Sequence, residues 1–258
     1  MKTNKKVWFN FTAFFILLIN LYSIQTKQGP AEYFIESEEG ESKDFVEVVI
    51  EQNERFPDTL YIGGKDSNNK IALTFDDGPF PKNTKSILEI LDEHNVNATF
   101  FLLGTQIEKY PELVKNIDKK GHLIGNHSYS HKDFRKINKT KLLKEINKTD
   151  KLIIKNSKQE PDLIRPPYGA LTNSQIELLS EKGYKIIEWS LDIKDWRAEN
   201  SCDIMMERAN SYIHEGAIIL LHDGGGDRSR TVKLLPKLIT KLKEKGYEFT
   251  TVDKLINN

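Results

Sequence analysis

From residue 70 onward, short apolar runs alternate with longer amphipathic stretches, and this alternation constrains the fold more than any other feature of the chain. The runs at 71–75, 98–103, 122–124, 163–164, 184–189, 217–221 and 248–252 read as buried strands, all but the last mostly apolar. The stretches between them, 83–94, 110–120, 139–155, 173–182, 201–214 and 231–245, carry apolar residues three and four apart, the spacing of a helix that buries one face. Gly121, Gly183 and Gly246 each stand just past one of these stretches, where helices commonly end in a left-handed residue. Strand and helix alternating through about seven units predict an α/β fold, a parallel sheet covered by helices and either open or closed into a barrel. In both forms ligands and catalytic groups gather at the C-terminal ends of the strands.

The 258 residues suffice for one such domain with a short appendage. Basic and acidic side chains cancel at 38 each, so no overall field draws the chain to nucleic acid, and none is expected as a partner. A single cysteine, Cys202, excludes an internal disulfide and any multi-cysteine zinc site; a metal would have to be held by His and carboxylates. Lys2, Lys5 and Lys6 precede an apolar run at 7–24, so residues 1–25 read as a signal peptide or membrane anchor. The run is close to the ~18 residues that begin to span a bilayer, and no small-x-small cleavage site follows it, which favours a retained anchor. The flanking lysines then place everything downstream outside the cytoplasm. Residues 26–68, with Glu36, Glu38, Glu39, Glu41 and Asp44, read as a linker or spacer with room for one edge strand at 45–50. The catalytic domain is expected over 69–258.

Five clusters of reactive side chains follow the predicted strands. Thr74-Phe75-Asp76-Asp77-Gly78-Pro79 offers two adjacent carboxylates, one able to bind a cation while the other stays a base, although Asp-Gly-Pro also reads as a plain turn. In His127-Ser128-Tyr129-Ser130-His131 a spacing of four would bring two imidazoles onto one face of a helical turn, as metal ligands or as surface histidines. With Asp77 they would make a two-His, one-carboxylate site with open positions, the form of a catalytic metal. In Arg165-Pro166-Pro167-Tyr168-Gly169 the prolines lack N–H groups, so the Tyr168 N–H is the first free backbone donor and could serve an oxyanion; a plain proline turn is the alternative. Asp192-Ile193-Lys194-Asp195-Trp196 and Leu220-Leu221-His222-Asp223 complete the set. Any one of these has a bland reading; their common placement at strand ends does not.

With all five in this order, the chain resembles the polysaccharide deacetylases of carbohydrate esterase family four, the NodB homology domain, from about residue 69 to the C-terminus. The resemblance implies a distorted (β/α) barrel of about seven parallel strands and a divalent cation, usually zinc, otherwise cobalt or another ion. It implies that Asp77, His127 and His131 bind the metal, Asp76 is the general base, Arg165 orients Asp76, and His222 is the general acid. It further implies that Tyr168 lends its N–H beside Pro167, that Trp196 and Leu220 hold the acetyl methyl group, and that an aspartate of the fourth cluster tunes His222. Asp195 is preferred over Asp192 for that role. The expected activity is removal of acetyl groups from N-acetylglucosamine in a wall polysaccharide, peptidoglycan first, by a monomer tethered outside the cytoplasm. Chitooligosaccharide or acetylxylan substrates, or an inactive carbohydrate-binding member of the fold, are the alternatives.

Overall fold

A computed structural model describes residues 43–65 and 68–257. The expected anchor at 1–25 and the first part of the expected spacer lie outside the described residues. Among those described, no helix is long and apolar enough to cross a membrane.

Helix α1 (Lys43–Arg55) and strand β1 (Leu60–Tyr61) lead into β2 (Lys70–Gly78) and α2 (Pro81–Glu93). Strand β3 (Thr99–Leu102), helices α3 (Gly104–Lys109) and α4 (Pro111–Lys119), β4 (Leu123–Asn126) and α5 (Lys139–Asn156) follow. Then come β5 (Leu163–Ile164), α6 (Asn173–Glu181), β6 (Lys185–Ile187), β7 (Leu191–Asp192) and α7 (Cys202–Tyr212). The chain closes with β8 (Ile218–His222), α8 (Ser229–Glu244), β9 (Glu248–Phe249) and α9 (Val252–Ile256). The strands run in the order β1-β6-β5-β4-β3-β2-β8-β7, with β9 paired to the start of β2. Every neighbouring pair is parallel, giving a half-barrel of eight strands in file.

The file differs from the expected seven strands because β1 and β7 answer to no expected run, while the run at 248–252 supplies β9, outside the file. At 188–190 the chain changes partner: Glu188 N–H still donates to Tyr61 O (2.8 Å), whereas Ser190 N–H donates to Ile218 O (3.1 Å). Just beyond the expected run, Leu191–Asp192 form β7, which lies beside β8.

Alternation along β2 divides the core. Ile71, Leu73 and Phe75 join one apolar cluster under the outer helices, with Phe100, Leu221 and Leu238. Ala72 faces the other cluster, inside the half-barrel, with Phe101, Ile164, Ile186 and Leu220. By the two-residue period of a strand, Thr74 and Asp76 share that inner face. A carboxylate at the inner mouth thus follows from the register of β2.

Gly121, Gly183 and Gly246 have φ of 78°, 81° and 87°, in the left-handed region expected just past a helix. Two segments differ from the sequence reading. The run 45–50 is helical rather than an edge strand, and Val46 and Val49 of α1 pack with Leu60 and Ile62 into the inner cluster. Amphipathic spacing within a polar, acidic stretch made it look like spacer, yet the packed body begins before Asn69. The run 248–252 divides at Thr250, its first half pairing with β2 and Val252 opening α9.

Candidate active site

At the end of β2 the register with β3 slips between Asp76 and Gly78, and Asp77 between them adopts φ 72°. The bulge lets two consecutive carboxylates reach one cavity by different routes. Asp76, on the inner face, is buried and pairs with the Arg165 guanidinium (Nη1 to Oδ1, 2.9 Å). Asp77 instead turns Oδ1 toward His131 Nε2 at 3.3 Å and His127 Nε2 at 3.6 Å.

The two histidines meet with ring centroids 5.1 Å apart, but not on a helical turn. They lie on the loop after β4, where Ser128 (φ 71°) and His131 (φ 57°) are both left-handed. Polar side chains hold this shape: Asn126 Oδ1 accepts from Ser128 N–H (2.7 Å), and Ser128 Oγ accepts from His131 N–H (3.0 Å). His127 Nδ1 lies 2.8 Å from the carbonyl of Arg165, which can only accept, so Nδ1 carries the proton and Nε2 presents a lone pair. Burial drives the His127 pKa down to about 3, so the ring is neutral near pH 7.

These three side chains fit a divalent cation. Asp77 Oδ1 is buried with no hydrogen-bond partner, and one ligand atom from each residue falls within 4.8 Å of the others. An anionic oxygen and a nitrogen lone pair converging without a donor between them are stable chiefly around a positive ion, and an N/O donor set suits zinc.

Arg165, at the end of β5, is fully buried. Besides Asp76 it donates to Thr74 Oγ1 (2.7 Å), Ile187 O (3.0 Å) and Glu188 O (2.8 Å), and it lies 4.3 Å over the Phe101 ring. Four acceptors, two on β2 and two at the end of β6, fix the guanidinium, and through it Asp76 Oδ1. Burial nevertheless raises the Asp76 pKa; Arg165 and His222 oppose that rise without cancelling it. The Arg165 contact therefore orients Asp76 without bringing its pKa back to the ordinary carboxylate value.

Across the mouth, His222 ends β8 with Nδ1 2.7 Å from Asp195 Oδ1. Asp195 Oδ2 accepts from the His222 backbone N–H (2.9 Å) and from Thr231 Oγ1 (2.7 Å). Burial works against the imidazolium, but Asp195 and the more distant Asp76 and Asp77 outweigh it and lift His222 to about 9. Asp192 has other partners, the Lys194 N–H (2.6 Å) and the Trp196 indole N–H (3.0 Å). Of the two aspartates left open by spacing, Asp195 is the one in contact with the His222 ring.

A cavity of about 380 Å³ joins these groups. Leu220 and Trp196 form part of its wall, Tyr168 stands at the rim with φ 62° and its ring edge-on to His131 at 4.7 Å, and Pro166 lines it where Pro167 is buried behind. Three lining residues escaped the sequence reading: Phe45, Trp189 and Arg228. Phe45 stacks on Trp189 at 6.4 Å from a helix taken for spacer, and no motif marks Arg228. Asp223, beside His222 in sequence, carried no assignment. It is fully buried against the Thr84 hydroxyl, and burial pushes its pKa up to about 7.

The profile of the family described as polysaccharide deacetylase matches residues 63–187. A peptidoglycan-N-acetylglucosamine deacetylase of Bacillus cereus is 40% identical over 187 residues, 72% of this chain and 68% of the relative. The peptidoglycan-N-acetylglucosamine deacetylase PgdA of Listeria monocytogenes is 40% identical over 189 residues, 73% of this chain but 39% of PgdA's own length. A chitooligosaccharide deacetylase of Bradyrhizobium is 33% identical over 205 residues, 75% of this chain and 93% of the relative. Among solved structures, the Bc1960 peptidoglycan N-acetylglucosamine deacetylase superposes with TM-score 0.75 at 37% identity, over 78% of this chain and 94% of that one. BA3943 of Bacillus anthracis, described as a CE4 family pseudoenzyme, reaches TM-score 0.71 at 29% identity, over 76% and 68%. Shared identity over most of the Bacillus cereus enzyme, on the same fold, establishes that the chain belongs to the polysaccharide deacetylase family.

Proposed function

We propose that this chain is a metal-dependent hydrolase that removes the acetyl group from N-acetylglucosamine residues of peptidoglycan, outside the cytoplasm. One observation carries the reading: a cation-ready trio, a buried Asp–Arg pair and a half-buried His held by a buried Asp open into one cavity. Asp77, His127 and His131 would hold the ion, with zinc the best match to the donors. When bound, such an ion polarises a carbonyl and lowers the pKa of water. Asp76, its Oδ1 held by Arg165, takes the proton of the attacking water on Oδ2. The Tyr168 backbone N–H donates to the developing oxyanion, worth about 3–4 kcal/mol for one well-placed donor. His222, kept protonated by Asp195, delivers its proton to the departing nitrogen, and the C–N bond breaks with acetate and a free amine as products. Trp196 and Leu220 flank the acetyl methyl group.

Peptidoglycan heads the substrate choices because relatives named for it are 40% identical and because the apolar run at 7–24 places the domain outside the cytoplasm. Residues 1–25 would anchor it there. The chitooligosaccharide enzyme supports a second substrate class. The existence of a pseudoenzyme on this fold makes inactivity the rival outcome, but here Asp76, Asp77, both histidines, Arg165 and His222 are all present and assembled. Acetate release from peptidoglycan and from an N-acetylglucosamine oligomer, measured with and without chelator, tests the proposal. Chelator-sensitive release supports it. No release from either substrate with zinc supplied would establish the inactive reading, and release in metal-free protein would remove the ion.

A further inference from the structure

Asp77 shows its two carboxylate oxygens to different surroundings. Oδ1 faces the histidines, while the loop after β8 closes over Oδ2. A Cβ at Gly225 would stand 2.4 Å from Asp77 Oδ2, and one at Gly224 would stand 2.1 Å from the Asp77 carbonyl oxygen. Both approaches are closer than any side chain permits, so the loop must be glycine at each point. Gly225 also has φ 71°.

Something has to hold this loop down, and Arg228 does so. Its Nε donates to Gly224 O at 2.8 Å and its Nη2 to Gly225 O at 3.4 Å. Asn83 Nδ2 adds bonds to Asp223 O (3.2 Å) and Gly226 O (3.3 Å), and Gly224 N–H donates to Asp76 O (3.2 Å). Arg228 is 8% exposed, and among the described residues these carbonyl contacts are its hydrogen bonds, with no ion pair. A guanidinium withdrawn from water without a carboxylate is unfavourable on its own account, which points to a use. Asp77, a non-glycine residue at φ 72°, is itself held in a conformation that only its surroundings can maintain.

We propose that Arg228 is a positioning residue for the cation site: it clamps the loop 224–226 against Asp77 Oδ2, which stops the carboxylate from rotating and keeps Oδ1 aimed at the two histidines. This rests on the reading of Asp77, His127 and His131 as the ligands. Releasing the clamp frees the loop from Oδ2, lets the carboxylate rotate, and costs the ligand set its preorganisation.

The test is zinc affinity, read by competition with a chromogenic chelator, beside the thermal midpoint of the chelator-stripped protein. Wild-type protein should bind one zinc. Arg228→Gln should raise the zinc Kd by about 10–100-fold, the range typical of groups that orient metal ligands, while the stripped protein melts close to wild type. Arg228→Lys, which keeps one donor, should fall between them. Gly225→Ala should weaken zinc binding too, because its Cβ would press on Asp77 Oδ2 at 2.4 Å and crowd Arg228 Nη2 at 3.2 Å. Equal zinc Kd for wild type and Arg228→Gln overturns the proposal, as does a lowered midpoint with unchanged Kd, which would make Arg228 purely structural. If wild-type protein takes up no zinc, the ligand reading itself falls; that result is visible in wild type alone.

Discussion

His222 illustrates how single residues divide the chemistry. Its folded pKa of about 9 lies above the ~6.5 of a free imidazole, so its charge stabilises the fold fully below pH 6.5. That contribution is lost as pH rises through about 9. Asp195→Asn removes the neighbour that does most to lift the pKa; the ring should then titrate at lower pH by NMR, and the alkaline fall in amide hydrolysis should move down with it. An unmoved titration would assign the elevation to other groups. His222→Ala separates leaving groups, because an amine departs only when protonated while an aryl oxide leaves unaided. N-acetyl hydrolysis should drop by the ~10²–10⁴-fold typical of acid–base groups, with aryl acetate hydrolysis largely spared. Equal losses on both substrates would argue for substrate positioning instead. Asp76→Asn should keep the metal and lose turnover, whereas His127→Ala should lose metal; metal content by mass spectrometry decides, and equal loss in both reverses the roles. At this scale the residue types and order were legible in the sequence, but two details were not. The meeting of His127 and His131 depends on left-handed Ser128 and His131 rather than on a helical turn, and spacing alone could not choose Asp195 over Asp192.

Among the elements, α1 departs furthest from what the sequence suggests. Val46, Val49 and, beyond the helix, Leu60 and Ile62 are buried in the inner cluster, and burial of each such side chain is worth about 1.5–3 kcal/mol. Their sum is comparable with the roughly 5–15 kcal/mol by which whole domains are stable. A chain beginning at Asn69 should therefore melt well below one beginning before Lys43, or aggregate; equal thermal midpoints would show α1 to be dispensable. The shorter chain should also bind substrate less well, since Phe45 leaves the cavity wall. Periodicity found the long helices and the central strands because each obeys one rule over many residues. It missed β1 and β7, pieces of two residues defined by partners they acquire in the folded sheet.

At the scale of the whole molecule, the half-barrel brings the ends of β2, β4, β5 and β8 and the segment just past β7 to one mouth, and the proposed activity depends on all of them. Activity should vanish with chelator and return with zinc or cobalt; full activity in metal-free protein would discard the trio as ligands. Full-length protein should sediment with membranes, and recovery of a soluble form starting beyond Ile24 would show that the first segment is cleaved.

By itself, the sequence determined the α/β class, most of the element order, the glycine helix ends and which side chains gather at the candidate site. These depend on local periodicity and on residue types placed at strand ends. The tertiary structure decided how the groups are used, because that depends on contacts between distant segments. The bulge at Asp77 acts only against β3 and the loop after β8. The pKa of His222 is raised chiefly by Asp195, 27 residues away with α7 between, and that of Asp76 by burial that no local pattern records. Phe45 enters the cavity from α1 and Arg228 from the loop before α8, segments that no motif ties to it, since proximity in space is a property of the packed sheet and not of the spacing along the chain.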